Sequence, residues 1–460
     1  MGLRELLFTK KRNQSPLLSA FYAGELARWE EIYRGGGEWR YTRRGGLNGG
    51  MRRVAALNAA KAVCAELSRL CFTEGTALIS KDKETEDFVE RVLRENGFAD
   101  RFPDFLEKVF ALGGGAVKVY WDGGVKLDFI TADCFVPTRW DGRGISGAAF
   151  GSRLSQNGKS YILAETQELT PEGCVTENRL FTEDGARAEL KDVLPELMER
   201  SVIKGLVKPL FVYLGTGSGN VEKCPPLGAS VFAGAEDTLK SIDTVFDSLN
   251  REFVLGRKRI IVPYYAIRGE YDENGDLKRY FDVNDEVFQA LSTTDAEELK
   301  ITDNTASLRV TEHTEALSAL LDMLCMQVGL SEGALSYKNG TIKTATEVVS
   351  RDSRTYRTRG FYRKRIAECL AQAAENIVIL GKMSGQLSAG ASEKVSLVFA
   401  DGVCEDEGTR IERAVSLYNA GIISRVRAIS QIYGVSLEEA RSMERSDFDG
   451  QGDQGGASRA

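Results

Sequence analysis

The stretch TLKSIDTVFDSLNREF, residues 238–253, decides the architecture. Leu239, Ile242, Val245, Phe246, Leu249 and Phe253 recur at helical spacing and form one apolar stripe, with Lys240, Asp243, Asp247 and Arg251 on the opposite face. A second stretch, TEHTEALSALLDMLCMQV at 311–328, repeats the device with Leu317, Leu320, Leu321, Leu324 and Val328. Between them lies a compact β insertion. It opens with Ile260-Ile261-Val262-Pro263, turns at Asp272-Glu273-Asn274-Gly275 and continues through Tyr280 to Phe288. Two amphipathic helices thus bracket a small β module.

Upstream, helices are expected at Leu17–Tyr33, over Met51–Phe72, at Glu84–Asn96 with Gly97 as its stop, and at Pro103–Leu112. From Ala116 the texture changes to alternating strands with Gly, Asn and Asp turns, and this continues to about Tyr213. A helical region followed by an antiparallel sheet region is an α+β signal. Downstream, a loop at 329–342 leads into a long helix over Thr344–Leu380. A strand at Val395–Phe399 and three short helices between Glu405 and Arg445 follow. The tail from Ser446 has almost nothing to bury and is expected to be disordered.

The 460 residues carry 60 Lys plus Arg against 67 Asp plus Glu, a formal net charge of −7, so generic coating of nucleic acid is disfavoured. The single histidine, His313, lies between Glu312 and Glu315 and reads as a solvated or locally paired imidazole. One histidine excludes His-rich metal sites and leaves one centre for a Ser-His-Asp or Cys-His triad. The eight cysteines form no C-x-x-C pair and read as buried, reduced thiols. The four tryptophans, Trp29, Trp39, Trp121 and Trp140, read as packing residues. The start Met1-Gly2-Leu3-Arg4-Glu5 has no long apolar run after it, and no span approaches the ~20 residues that cross a bilayer. A soluble protein made in the cytoplasm, with no membrane partner, is expected.

Lys343-Thr344 after Gly340 fails as a phosphate loop, because Thr341 and Ile342 separate the glycine from the lysine. Gly113-Gly114-Gly115 precedes a strand and reads as a helix-to-strand turn. Asp401, Glu405, Asp406 and Glu407 read as the acidic first turn of a helix rather than a metal cluster. No catalytic residue, metal site or cofactor is assigned. The most unusual run is Arg351–Arg365, with Arg351, Arg354, Arg357, Arg359, Arg363, Lys364 and Arg365 opposed only by Asp352. It is either a solvated or subunit-contact face, or a basic surface giving weak, salt-sensitive contact with nucleic acid.

Several runs resemble the portal protein family of tailed double-stranded DNA phages with long tails. They are Trp29, Tyr33 and Trp39; Ala62–Leu67 followed by Phe72-Thr73-Glu74; Leu112–Lys118; and Ala132–Pro137. They continue with Pro226–Phe232 running into Leu239–Asp243, and the sharpest is Lys343-Thr344-Ala345-Thr346-Glu347-Val348. The likeness extends over residues 20–440. It implies a portal fold of class α+β with a wing at 1–230, stem helices at 231–257 and 311–328, and a β-rich clip at 258–310 between them. A tunnel loop at 329–343, a long wing helix with its returning strand at 344–400 and a helical crown at 401–445 complete it, before the tail at 446–460.

The resemblance further implies a structural, non-enzymatic role in the virion, at the capsid portal vertex, after assembly in the host cytoplasm. The chain would form a homo-oligomeric ring, usually a dodecamer, through which double-stranded DNA is pumped in by the terminase large subunit and leaves at infection. Major capsid and scaffolding proteins and a head-tail adaptor would be its other partners. Within that frame Lys338, Asn339 and Lys343 would face DNA from the tunnel loop, Arg351, Arg354 and Arg357 would form the basic surface, and Asp272, Glu273, Asn274 and Asp276 would meet partners from the clip. A minor capsid or scaffold protein and a metal-dependent phage nuclease are the rival readings. The first would not demand a closed ring; the second lacks a compact carboxylate constellation.

Overall fold

Helix α1 (Pro16–Tyr33) opens the computed structural model, which describes residues 16–43, 50–72, 76–80, 82–142, 144–219, 226–256, 260–261, 268–271, 275, 277–280, 302–303, 307–335, 345–399 and parts of 411–444. The chain divides into two units, Met1–Phe72 with Leu78–Leu397, and Thr73–Ala77 with Val398–Ala460. In the first unit, strands β1 (Tyr41–Arg43) and β2 (Met51–Arg53) pair antiparallel as a hairpin, and helix α2 (Ala59–Cys71) follows. The helical reading from Met51 is therefore corrected: the helix starts eight residues later. Asn58 stands in the left-handed region before it, and Arg52 is drawn to a carboxylate far along the chain.

After strand β3 (Thr76–Ser80), helix α3 (Lys83–Glu95) begins where Asp82 accepts a hydrogen bond from Glu84 N at 3.2 Å. Helix α4 (Phe98–Leu112) starts five residues before the expected Pro103 and carries that proline inside. The lost N–H removes one helical bond near the start of the helix, offset by aromatic burial. Phe98 and Phe102 stack at 4.9 Å, and Phe105 and Phe129 meet at 5.3 Å. Fully burying one such ring contributes about 1.5–3 kcal/mol. Gly113, at φ 86°, ends α4 in the left-handed conformation that glycine adopts freely, as the helix-to-strand turn requires.

Strands β4 (Gly114–Trp121) and β5 (Val125–Thr131) pair around the Asp122-Gly123-Gly124 turn. Strands β6 (Phe135–Asp141), β7 (Gly144–Gln156), β8 (Lys159–Thr170) and β9 (Gly173–Thr182) form an antiparallel meander. Strands β10 (Arg187–Ala188) and β11 (Arg200–Lys204) both pair with β9. Strand β12 (Phe211–Gly215) returns to β4, giving a three-stranded sheet of order β12-β4-β5. Phe135 and Phe150 of the meander pack on Phe211 at 6.0 and 5.3 Å and so join the two sheets. Trp29 is buried, but Trp121, at the end of β4, is exposed, which corrects its assignment to packing.

Helix α5 (Glu236–Leu255) and helix α6 (Val310–Val328) realise the two amphipathic stretches. Between them β13 (Ile260–Ile261) pairs with β16 (Thr302–Asp303), and β14 (Arg268–Tyr271) pairs with β15 (Leu277–Tyr280) as a hairpin. The strand expected from Tyr280 to Phe288 thus has its described part upstream of that window. Helix α7 (Ala345–Met383) is the long helix, and β17 (Val395–Phe399) pairs with β3. In the second unit, helix α8 (Arg425–Tyr433) buries Ala428. Asp401 through Glu407 and the tail from 446 lie outside the described residues. Fold class is α+β, and no described helix is long and apolar enough to cross a membrane.

Candidate functional site

The face of α5 that looks solvated in sequence is a docking face. Asp243 is 1% exposed, and its Oδ2 accepts from Trp39 Nε1 at 2.9 Å and Arg40 Nε at 2.8 Å, while its Oδ1 accepts from Leu57 N at 3.0 Å. One turn on, Asp247 takes both guanidinium nitrogens of Arg52 at 2.8 and 2.7 Å and the amide of Ala55 at 2.9 Å. The polar reading of Asp243 and Asp247 is corrected accordingly: they fasten the β1–β2 hairpin and the approach to α2. A signal was present in the sequence. No acid occurs between Glu38 and Glu66, although Arg40, Arg43, Arg44, Arg52 and Arg53 do, so that segment needs carboxylates from elsewhere.

Helices α5 and α6 run antiparallel, and a polar clasp closes their free ends. Glu252 accepts from Arg309 Nε and Nη2 at 3.2 and 3.1 Å and from its amide at 3.3 Å. Ser248 Oγ meets His313 Nε2 at 3.0 Å, and His313 Nδ1 meets Arg309 O at 2.6 Å. A carbonyl only accepts, so Nδ1 carries the proton and Nε2 takes the hydroxyl hydrogen. The sole histidine is locally paired, and because Nδ1 meets a backbone carbonyl, no carboxylate completes a triad around it among the described residues. A Cβ on Gly256 would come within 2.3 Å of Leu308 Cδ2, so the two ends of the β module leave the helix pair close together. Asp272, Glu273, Asn274 and Asp276 lie outside the described residues; Gly275 between them has φ 83°.

These clasps make stability acid-sensitive. Hydrogen bonds from Arg52 hold the Asp247 carboxyl below its usual value, and those from Arg309 do the same for Glu252. A depressed carboxylate contributes stability that is present above its unfolded-state pKa and lost as pH falls through its folded-state pKa. Burial raises the Glu236 carboxyl and opposes this trend. The unfolding temperature is expected to drop as pH is lowered from 7 through the carboxylate range, and to drop less steeply in Asp247→Asn, whose starting value is already lower. Parallel pH profiles for the two proteins by scanning calorimetry would contradict the assignment.

At the far end of α6 the chain is fixed before it reaches the expected DNA-facing residues. Gly329 (φ 81°) follows the helix, and Leu330 N returns to Cys325 O at 2.8 Å. Ser331 is buried; its amide donates to Thr355 Oγ1 at 2.8 Å, its hydroxyl accepts from Thr355 N at 3.2 Å, and Thr358 Oγ1 donates to Gly329 O at 2.6 Å. Gly333 N donates to Asp322 Oδ1 at 2.9 Å. Residues 329–333, the first part of the expected loop, are thus pinned to α6 and α7. Lys338, Asn339, Lys343 and the Lys343-Thr344 step lie outside the described residues.

The basic run of α7 splits in two. Arg359 and Arg363 are buried and donate to Leu70 O and Cys71 O at 3.0 and 3.2 Å, so they cap the C-terminus of α2, where its dipole favours cations. Arg354 and Arg357 are exposed, and Arg357 Nε donates to Ser353 O at 3.3 Å within its own helix. Arg351 lies on α7 with its side chain outside the described residues. The cysteines Cys64, Cys71, Cys174, Cys325 and Cys369 are buried free thiols. Burial pushes the Cys71 and Cys369 thiols up to about 12, which makes them unreactive near neutral pH.

The sequence profile of the phage portal protein family, SPP1 Gp6-like, matches residues 49–167 and 220–452. No curated protein matches the chain. Among solved structures, a chain in the virion of a native gene transfer agent (GTA) particle is 12% identical at a TM-score of 0.44, covering 82% of this chain and 89% of that one. A chain from the neck of an empty GTA particle computed with C6 symmetry gives 14%, 0.45, 82% and 89% in the same terms. A chain from the neck of a native GTA particle computed with C12 symmetry gives 14%, 0.43, 81% and 88%. The two matched segments take in both amphipathic helices, the β module between them and the long helix after them, and the chain belongs to the SPP1 Gp6-like phage portal protein family.

Proposed function

We propose that this chain is the subunit of a closed portal ring, a dodecamer, at one vertex of a phage capsid. Double-stranded DNA passes through its channel, driven inward by the terminase large subunit and released at infection. The membership in the portal family carries this reading. Exposed apolar side chains on the helix pair support it: Phe253 and Val254 of α5 are 51% and 59% exposed, and Met323 and Met326 of α6 are 53% and 52% exposed. In a ring, such faces meet the complementary side of the next subunit. Residues 1–230 act as the wing, α5 and α6 as the stem, 258–310 as the clip, 329–343 as the tunnel loop, α7 and β17 as the returning wing elements, and 401–445 as the crown.

The net acidic chain suits a conduit, since six to ten phosphate contacts would already grip duplex DNA at low salt. Each subunit instead offers Lys338 and Lys343 from the tunnel loop, and Arg351, Arg354 and Arg357 act as a weak basic surface. The clip, with Asp272, Glu273, Asn274 and Asp276, meets the motor during packaging and the head-tail adaptor afterwards. Capsid and scaffolding proteins contact the wing. The protein works as a structural component of the virion, assembled in the host cytoplasm, and needs no cofactor.

Negative-stain imaging of the purified protein tests the ring: closed particles with a central hole are expected. A strictly monomeric species across concentrations, alone and during head assembly, contradicts it. Lys338→Glu is expected to slow packaging or let DNA slip back while leaving rings intact. If packaging rate, genome retention and their salt dependence all match wild type, the loop is a mere connector.

A further inference from the structure

Helix α5 lies between the β1–β2 hairpin and α6. On one side Asp243 and Asp247 hold Arg40 and Arg52, and on the other Ser248 and Glu252 hold His313 and Arg309. Asp243 and Glu252 are nine residues apart, about two and a half helical turns, which puts them on opposite faces. A groove of about 380 Å³ runs along the hairpin side, and its charged lining is Arg52, Arg53, Arg251 and Asp247. Asp247 is taken by both guanidinium nitrogens of Arg52, and Arg53 reaches Gly35 O at 3.5 Å. Arg251 is exposed, and neither it nor Arg53 forms an ion pair among the described residues. The neighbouring cleft at the end of α1 shares Arg53 and holds Glu30, Glu31 and Arg34, with Arg34 and Glu30 paired at 2.6 Å. Glu31 therefore partly offsets Arg53, and Arg251 is the cation with least opposition.

The outer face of α6 carries the opposite sign. The helix has Glu312, Glu315 and Asp322 and no Lys or Arg. Asp322 receives Gly333 N, whereas Glu312 and Glu315 are exposed and form no ion pair among the described residues. Arg309, which precedes the helix, is taken by Glu252. We propose that this acidic N-terminal half of α6 docks in the Arg251 groove of a second copy, as the seam between neighbours in the ring. The inference rests on the ring reading and names the sides that mate. Sign is the first argument and height the second. Rotation about the ring axis keeps each group at its height, so with stem helices along that axis the mating groups must be level. Arg251 adjoins Glu252 and Glu312 adjoins His313, and the Glu252–Arg309 and Ser248–His313 contacts place them within about one turn, ~5.4 Å. The two patches lie on opposite sides of one helix pair, so the contact runs head-to-tail, as a closed ring needs. Val254, 59% exposed on the groove, and the exposed Ala316 and Ala319 of α6 supply its apolar part.

Charge reversal in the full chain tests the seam, with ring formation read by mass photometry over a range of protein concentrations. Arg251→Glu, and separately Glu312→Arg combined with Glu315→Arg, should each raise the concentration needed for rings about ten-fold or more, because like charges then face each other at every seam. An equimolar mixture of the two variants should restore rings near the wild-type concentration, since every contact in an alternating ring again pairs opposite charges. The α6 variant changes only exposed positions and leaves Asp247 untouched, so it tests the seam even if Arg251→Glu weakens the hairpin. Wild-type rings together with unimpaired assembly of both variants overturn the seam and leave the ring reading standing. Impaired assembly that mixing does not restore overturns the pairing as well. A wild-type protein that forms no ring, alone or during head assembly, defeats the ring reading and the seam with it.

Discussion

Asp243→Ala is expected to lower the unfolding free energy by about 3–5 kcal/mol, the penalty for stranding one member of a buried ion pair. Arg40, like its partner, is 1% exposed, and Asp243 is its anionic partner at 2.8 Å. The substitution also leaves the Leu57 amide and the Trp39 indole without their acceptor. Asp243→Asn keeps acceptor capacity but not charge, so it should remain clearly destabilising. Replacing both partners, Asp243→Leu with Arg40→Met, should be milder than Asp243→Ala alone, because no charge is then left buried. Urea unfolding of the three variants checks this ordering. A single-variant loss below about 1 kcal/mol, the size of an exposed ion pair, would mean that α5 does not anchor the hairpin segment.

Gly113→Ala should be damaging for a different reason, and a matched control isolates it. Gly113 sits at φ 86°, and a Cβ there would lie 2.5 Å from Gly228 O and 2.7 Å from Ala229 C. Neither backbone can retreat: Thr216 N holds Gly113 O at 3.1 Å, and Val231 N holds Phe110 O at 3.0 Å. Left-handed strain of about 1–2 kcal/mol adds to about 1–3 kcal/mol of overpacking. Gly123 has φ 62° with nothing within 4 Å of its would-be Cβ, so Gly123→Ala should show the strain alone. The Gly113→Ala loss should therefore exceed the Gly123→Ala loss by at least about 1 kcal/mol in thermal or urea unfolding. Equal losses would mean that the α4–β4 turn yields freely to its neighbour.

Much of the framework is determined locally, which is why it is legible in the residues alone. The 3.6-residue recurrence of Leu239, Ile242 and Phe246, and of Leu317, Leu321 and Leu324, specifies the two helices around the β module. Asp122-Gly123-Gly124 specifies the β4–β5 turn, and the ordered run of family motifs specifies the portal family. What only tertiary structure decided is the fate of the polar groups and the special backbone positions. Asp243 and Asp247 fit a solvated stripe until arginines some two hundred residues earlier are brought against them. Arg359 and Arg363 belong to a uniformly basic run until the C-terminus of α2 arrives and takes two of its members inside. Met51–Arg53 has a helix-compatible pattern, yet it pairs with Tyr41–Arg43 because Arg52 is held from outside. Periodicity reports which face of an element is apolar. Whether a charge is buried depends on a counter-charge delivered from elsewhere in the chain, since an unpaired charge cannot leave water.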